Sequence, residues 1–229
     1  MELKKIIITG GGSGGHVYPG LAVAAALQVL KPTVEVFWVG SPEGMENQLV
    51  PKAGYPLYNV SVGKLNMTGA SLKSKIFTLL GLPISFLKCL RILRKIKPQC
   101  VLGVGGFVSG PFALASALTG IPTAIWEPNA HPGMTNRWLS PFVQKIFLVF
   151  EEAGRYLKGK KKIQRVGLPI RKDIEALTTK LKNIENKKLN ILIFCGSQGA
   201  RTVNSILRQA YTERAQEVSA YSLRHQTGT

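Results

Sequence analysis

The chain has 229 residues, room for one large α/β domain and part of a second. Its 45% hydrophobic content excludes a disordered chain. The 30 Lys+Arg against 12 Asp+Glu leave a net charge of +18, which favours polyanionic surroundings: nucleic acid, anionic lipid or phosphorylated substrates.

Cys89, Cys100 and Cys195 are scattered, which argues against a disulfide framework or a cysteine zinc site and fits a reducing compartment. The N-terminus does not read as a signal peptide, because the apolar run Ile6-Ile7-Ile8 is short and glycines follow at once.

One theme recurs three times along the chain: an apolar strand, a glycine-rich turn, a helix. It first runs from a strand at Lys5–Thr9 through Gly10-Gly11-Gly12-Ser13-Gly14-Gly15 into a helix from about Tyr18 to Leu30. The segment Leu72–Lys97 interleaves apolar residues such as Ile76, Phe77, Leu80 and Leu87 with Lys73, Lys75, Lys88, Arg91, Arg94 and Lys95. Pro83 is expected to break or kink it. An apolar face with a basic rim suits an anionic bilayer. An amphipathic helix packed on a sheet is the other reading, and each can hold for one half of the segment.

The second unit runs from Cys100–Leu102 through Gly103-Val104-Gly105-Gly106 into a helix up to about Leu118. Pro98 to Trp126 carries no charge and is long enough for a membrane span. Seven glycines and prolines interrupt it, so it reads as strand, turn, buried helix, turn and strand. The third unit has a strand at Leu189–Cys195, the turn Gly196-Ser197-Gln198-Gly199, a helix from Ala200 to about Val218 and the opening of a strand at Tyr221–His225.

Further strands are expected at Val34–Val39, Tyr58–Val60, Thr123–Trp126 and Ile146–Phe150. The alternation implies doubly wound parallel sheets with ligands at the carboxyl ends of the strands. Charge runs and the turn Gly167-Leu168-Pro169 place a boundary there, giving domains 1–162 and 163–229. Two strands and a helix do not cover a sheet, so the second domain is expected to be cut short.

Stacked glycines ahead of a helix N-terminus suit a phosphate or pyrophosphate. Gly10, Gly12 and Gly15 match G-x-G-x-x-G, but no acid ends the second strand, which runs Phe37-Trp38-Val39-Gly40-Ser41. Dinucleotide binding is therefore the lesser reading. His16 either bonds a phosphate or acts as a base, or else it caps and packs.

Asp173 is the only aspartate, so no Asp-x-Asp pair exists to hold a divalent cation on a diphosphate. No P-loop occurs. Charge stabilisation is left to backbone amides, helix ends and Arg or Lys side chains. No nucleic-acid module is evident.

The ordered motifs resemble one family, the peptidoglycan N-acetylglucosaminyltransferases (MurG). The resemblance rests on Gly11-Gly12-Ser13-Gly14-Gly15-His16-Val17-Tyr18-Pro19-Gly20 and on Gly103-Val104-Gly105-Gly106-Phe107-Val108-Ser109-Gly110-Pro111. It continues in Glu127-Pro128-Asn129, Gly133-Met134-Thr135-Asn136, Gly167-Leu168-Pro169-Ile170-Arg171 and Gly196-Ser197-Gln198-Gly199-Ala200-Arg201. Two positions depart from the family pattern: Pro128 where it has Gln, and Leu168 where it has Asn.

The resemblance implies a GT-B fold, two Rossmann-like domains facing a cleft. It implies inverting transfer of GlcNAc from UDP-GlcNAc to lipid I, giving lipid II, at the cytoplasmic face of the plasma membrane. By motif match, Ser13, Gly14, Gly15, Asn129, Arg171 and Ser197 are expected UDP-GlcNAc contacts, His16 is the catalytic candidate, and Gly105, Gly106 and Ser109 are expected to hold the acceptor diphosphate. The implied partners are UDP-GlcNAc, lipid I, an anionic membrane surface and other cell-wall enzymes, with no cofactor, metal or nucleic acid. A remnant that binds membrane or lipid-linked pyrophosphate without catalysis is the alternative. On this reading the 229-residue chain folds through about Val166 and has negligible transferase activity by itself.

Overall fold

The computed structural model describes residues 2–62, 72–171, 174, 176, 189–195, 199–214, 216 and 221–228, with side chains in the helix over 72–96 described from residue 83 onward. The chain forms two compact units, Met1–Ala176 and Leu177–Thr229.

The first unit is a seven-stranded parallel sheet in the order β3-β2-β1-β4-β5-β6-β7. Its strands are β1 (Lys5–Gly10), β2 (Glu35–Gly40), β3 (Leu57–Asn59), β4 (Cys100–Gly105), β5 (Thr123–Glu127), β6 (Lys145–Leu148) and β7 (Ile163–Arg165). Its helices are α1 (Gly14–Leu30), α2 (Glu46–Lys52), α3 (Leu72–Ile96), α4 (Ser109–Leu118) and α5 (Met134–Leu139), with 3-10 turns at Glu151–Tyr156 and Lys160–Lys162. β7 pairs with β6, so the sheet extends past the expected boundary at residue 163, and the first unit ends at Ala176.

Strand alternation sorts the core onto two faces. Ile6 and Ile8 join Val17, Ala24, Trp38, Leu102, Val104 and Trp126 against α1. Ile7 and Val101 face the other way and pack with Cys89, Leu93 and Ile96 of α3, with Val108, and with Phe112 and Ala115 of α4. Ala113, Ile125, Leu139, Val143 and Ile146 continue that layer under α5. Each Val, Leu, Ile or Phe among them contributes about 1.5–3 kcal/mol when fully buried. The uncharged run Pro98–Trp126 is thus β4, α4 and β5, and no helix among the described residues is long and apolar enough to cross a membrane.

Two helices depart from the sequence reading. α1 begins at Gly14 rather than near Tyr18 and keeps Pro19 inside it. Glycine and proline are poor helix formers, yet the helix holds both, and Gly20 packs so closely that a Cβ on it would stand 2.5 Å from the indole of buried Trp38. α3 runs through Pro83 as a single helix.

In the second unit, β8 (Asn190–Ile193) pairs in parallel with β9 (Ser222–His225), connected through α6 (Arg201–Glu213). Asn204 of α6 donates to the Thr227 carbonyl at 2.6 Å and lies 3.0 Å from His225 Nε2. Leu192, Phe194 and Ile206 stay exposed, as the two strands and one helix among the described residues cover little apolar surface.

Candidate active site

β1 leads on to β2 and β3 in one direction, and β4 leads on to β5, β6 and β7 in the other. The strand order therefore reverses between β1 and β4, the place where sheets of this type bind ligands. Both glycine turns of the first unit sit there, side by side. Gly10 is in register with Gly105, and the Gly11 N–H donates to the Gly105 carbonyl at 3.2 Å. The turn at Gly196-Ser197-Gln198, with Ser197, lies outside the described residues.

His16 stands in the first turn of α1, next to this junction. Its Nδ1 lies 3.1 Å from the Val104 carbonyl oxygen. A carbonyl only accepts, so Nδ1 carries the proton and the neutral ring keeps a lone pair on Nε2. Burial holds the His16 pKa below the ordinary 6.5, opposed by the Val104 hydrogen bond and by the negative charges of Glu127 and Glu46.

Gly105 is what lets the ring lie there, for a Cβ at that position would stand 2.5 Å from Nδ1. Gly106 has φ +86°, and a Cβ on it would strike the Gly11 carbonyl oxygen. The two turns therefore touch backbone to backbone, which only glycine permits.

Two buried carboxylates fix the loops around His16, and sequence reasoning assigned neither a role. Glu46, the first residue of α2, is fully buried. It accepts from the Gly12 N–H at 2.8 Å and from the Ser41 N–H and Oγ at 2.7 Å each. A Cβ on Gly11, Gly40 or Gly44 would run into its carboxylate, so three glycines make its cage. An acid in the first turn of a helix ordinarily reads as an exposed partner of the helix dipole, so its sequence position held no signal.

Glu127 closes β5. One of its oxygens accepts from the Asn129 N–H at 3.0 Å and the Asn129 amide at 2.8 Å, and the other from the Gly133 N–H at 3.0 Å and the Asn136 amide at 2.9 Å. A charged residue ending an otherwise buried strand was the signal available for it.

The other expected site residues fall as follows. Ser13 is the N-cap position of α1 and makes no side-chain cap, so it and the amides of Gly14 and Gly15 point at the open end of the helix. Tyr18 lies against Gly14, where a Cβ would be 3.2 Å from its ring, and the Arg171 guanidinium stacks 4.6 Å from that ring's centre. Arg171, remote in sequence, is thereby brought to the first turn. Asn129 is held by Glu127.

Ser109 turns its side chain inward. Its hydroxyl is fully buried beneath β4, where a Cβ on Gly103 would lie 2.7 Å from it. A serine at a helix start normally turns outward, but here the close approach of α4 to Gly103 turns it in. What Ser109 offers a ligand is its backbone N–H in the first turn of α4.

The junction thus gathers two helix N-termini, an arginine and a neutral imidazole. That set has the chemistry to hold anionic phosphate groups and to accept a proton beside them.

Residues 6–148 match the glycosyltransferase family 28 N-terminal domain, which is more than half of the chain. The chain belongs to glycosyltransferase family 28. The Bdellovibrio bacteriovorus protein named UDP-N-acetylglucosamine–N-acetylmuramyl-(pentapeptide) pyrophosphoryl-undecaprenol N-acetylglucosamine transferase is 47% identical over 99% of this chain and 62% of its own length. The Myxococcus xanthus protein of the same name is 40% identical over 99% of this chain and 58% of its own length. The chain therefore spans about three-fifths of these relatives.

The crystal structure of Acinetobacter baumannii MurG superposes with a TM-score of 0.69 at 26% identity, covering 99% of this chain and 68% of that one. A UDP-GlcNAc 2-epimerase from Neisseria meningitidis, solved with UDP-GlcNAc bound, shares the fold at a TM-score of 0.62 and 18% identity, over 97% of this chain and 65% of that one. The fold is thus the Rossmann-like architecture of family 28, with the family's N-terminal domain as the first unit.

Proposed function

We propose that this chain is the acceptor-side part of an inverting glycosyltransferase that moves GlcNAc from UDP-GlcNAc to lipid I, forming lipid II for peptidoglycan. The observation that carries the reading is the placement of His16 between two glycine turns at the switch point, with Nδ1 committed to Val104 and Nε2 left as the proton acceptor. The acceptor hydroxyl gives its proton to Nε2 as its oxygen bonds to the anomeric carbon. The bond from that carbon to the diphosphate oxygen breaks, the configuration inverts, and UDP leaves with the bonding pair.

Ser13, Gly14, Gly15, Asn129 and Arg171 are assigned to the donor; Ser197, outside the described residues, is assigned to the donor by motif match alone. Gly105, Gly106 and the backbone N–H of Ser109 are assigned to the acceptor diphosphate, where the amides of α4 supply positive potential. The names of the 47% and 40% identical relatives support both substrates.

The site works at the cytoplasmic face of the plasma membrane as a peripheral protein. Support comes from the described half of α3, where Ile84 and Leu87 are exposed beside Lys88, Arg91, Arg94 and Lys95. Ile76, Phe77 and Leu80, expected in the same patch, lie outside the described side chains.

Transfer of radiolabelled GlcNAc to lipid I by the protein carrying this domain is the test. His16→Ala should lower kcat by about 10²–10⁴. The acid limb of kcat/KM should fall below pH 6.5, because burial depresses the His16 pKa and the rate is lost only once the ring is protonated. Wild-type turnover in His16→Ala would overturn the assignment of the base.

A further inference from the structure

α5 carries a second apolar surface, separate from α3. Leu139 and Asn136 turn into the core, while Met134 and Trp138, one helical turn apart, face out, followed by Phe142. Trp138 is 69% exposed.

The segment 156–162 is fastened alongside. Tyr156 meets the His131 ring at 4.5 Å, and Arg137 stacks 5.0 Å from the Tyr156 ring centre. The Lys158 N–H donates to Ser140 Oγ at 3.0 Å, and Lys162 Nζ donates to the Pro141 carbonyl at 2.9 Å. Lys158 and Lys162 are thus fastened beside the aromatic strip, the exposed Lys160 and Lys161 lie between them in the chain, and Arg137 stands within it. From residue 131 to 162 there are seven Lys and Arg against two acids, Glu151 and Glu152.

We propose that this surface, Met134, Trp138, Phe142 and Tyr156 with their basic rim, is a second footing on an anionic bilayer. Exposed aromatics set among cations have the chemistry of the membrane interface, where an indole seats among headgroups and lysines meet lipid phosphates. α4 packs against both α3 and α5, so the three helices form one layer on one face of the sheet. Two footings about 20 Å apart, two helix spacings, hold that layer against a plane, where one allows it to pivot. The N-termini of α4 and α1 then keep a fixed height above the surface from which a lipid-linked acceptor rises. The inference rests on the reading that the chain works at an anionic membrane.

The protein contains its own probe. Of its three tryptophans, Trp38 is 0% and Trp126 4% exposed, so only Trp138 can change environment on docking. On adding vesicles of phosphatidylglycerol and phosphatidylethanolamine, its emission should shift to the blue and lose quenching by iodide. Brominated acyl chains should quench it, and salt should reverse each effect.

Trp138→Ser, an exposed change, should leave thermal unfolding unaltered and weaken vesicle partition about ten-fold. Leu87→Ser should weaken partition through α3 while a blue shift persists in the bound fraction. Failure of the wild-type chain to sediment with anionic vesicles would overturn the membrane reading itself. Sedimentation with Trp138 still open to iodide would overturn the second footing alone. Self-association through Trp138 without lipid binding would assign the surface to a second copy of the chain and overturn it as well.

Discussion

At the first glycine turn the missing side chains make room for a carboxylate, whereas at the second they make room for an imidazole and a neighbouring backbone. Gly11, with Gly40 and Gly44, opens the cage that holds Glu46, and Glu46 in turn fixes the Gly12 amide. Gly105 and Gly106 instead admit the His16 ring and the Gly11 carbonyl. The first turn is therefore shaped from outside, by α2, and the second is shaped by the first. Glycine-rich sequence is shared; the physical demand on each glycine differs. One consequence is an order of dependence, in which α2 sets the first turn and the first turn sets the height of the second and of His16 between them.

The largest effect should come where the two turns touch. Gly106→Ala combines a positive φ with a clash against fixed backbone, and should destabilise the fold by about 3–5 kcal/mol, read as a fall in the urea midpoint. A loss under 1 kcal/mol would mean that the turns are not in backbone contact.

Removing the carboxylate tests the outside support. Glu46→Gln keeps the volume but aims an amide nitrogen at groups that are themselves donors. One or two buried donors are left unpaired, so stability should fall by about 2 kcal/mol. The His16 proton resonances should also shift, because the first turn relaxes. Unaltered His16 resonances would uncouple α2 from the site.

Gly12 supplies the smallest effect and the sharpest contrast. It too has a positive φ, +85°, but a Cβ there meets nothing within 4 Å. Gly12→Ala should cost only about 1–2 kcal/mol, the strain of the left-handed backbone alone. A loss as large as that of Gly106→Ala would show that conformation, rather than crowding, governs both turns.

The sequence determined most of the architecture, because periodicity and glycine placement are local properties. The strands β1, β2, β4 and β5, the buried helix α4 and the placing of the two turns at the carboxyl ends of strands in one sheet all follow from short apolar runs bounded by glycine or proline. So does the reading of Pro98–Trp126 as sheet and helix rather than a membrane span. The ordered motifs likewise determined the family, which the match over residues 6–148 shows.

Tertiary structure decided what depends on distant partners. β7 joined the first sheet because β6 offered its edge, which moved the break between the units to Ala176. α1 started four residues early, at Gly14, and kept Pro19 within it, with Gly20 packed on Trp38. Ser109 turned its hydroxyl inward because α4 lies close on Gly103. Glu46 and Glu127, read singly, are an ordinary helix-start acid and a strand-end acid. Only the fold shows them buried and satisfied by backbone and side-chain donors around His16. A buried charge is stable only with its donors in place, and those donors come from segments that sequence spacing alone does not bring together.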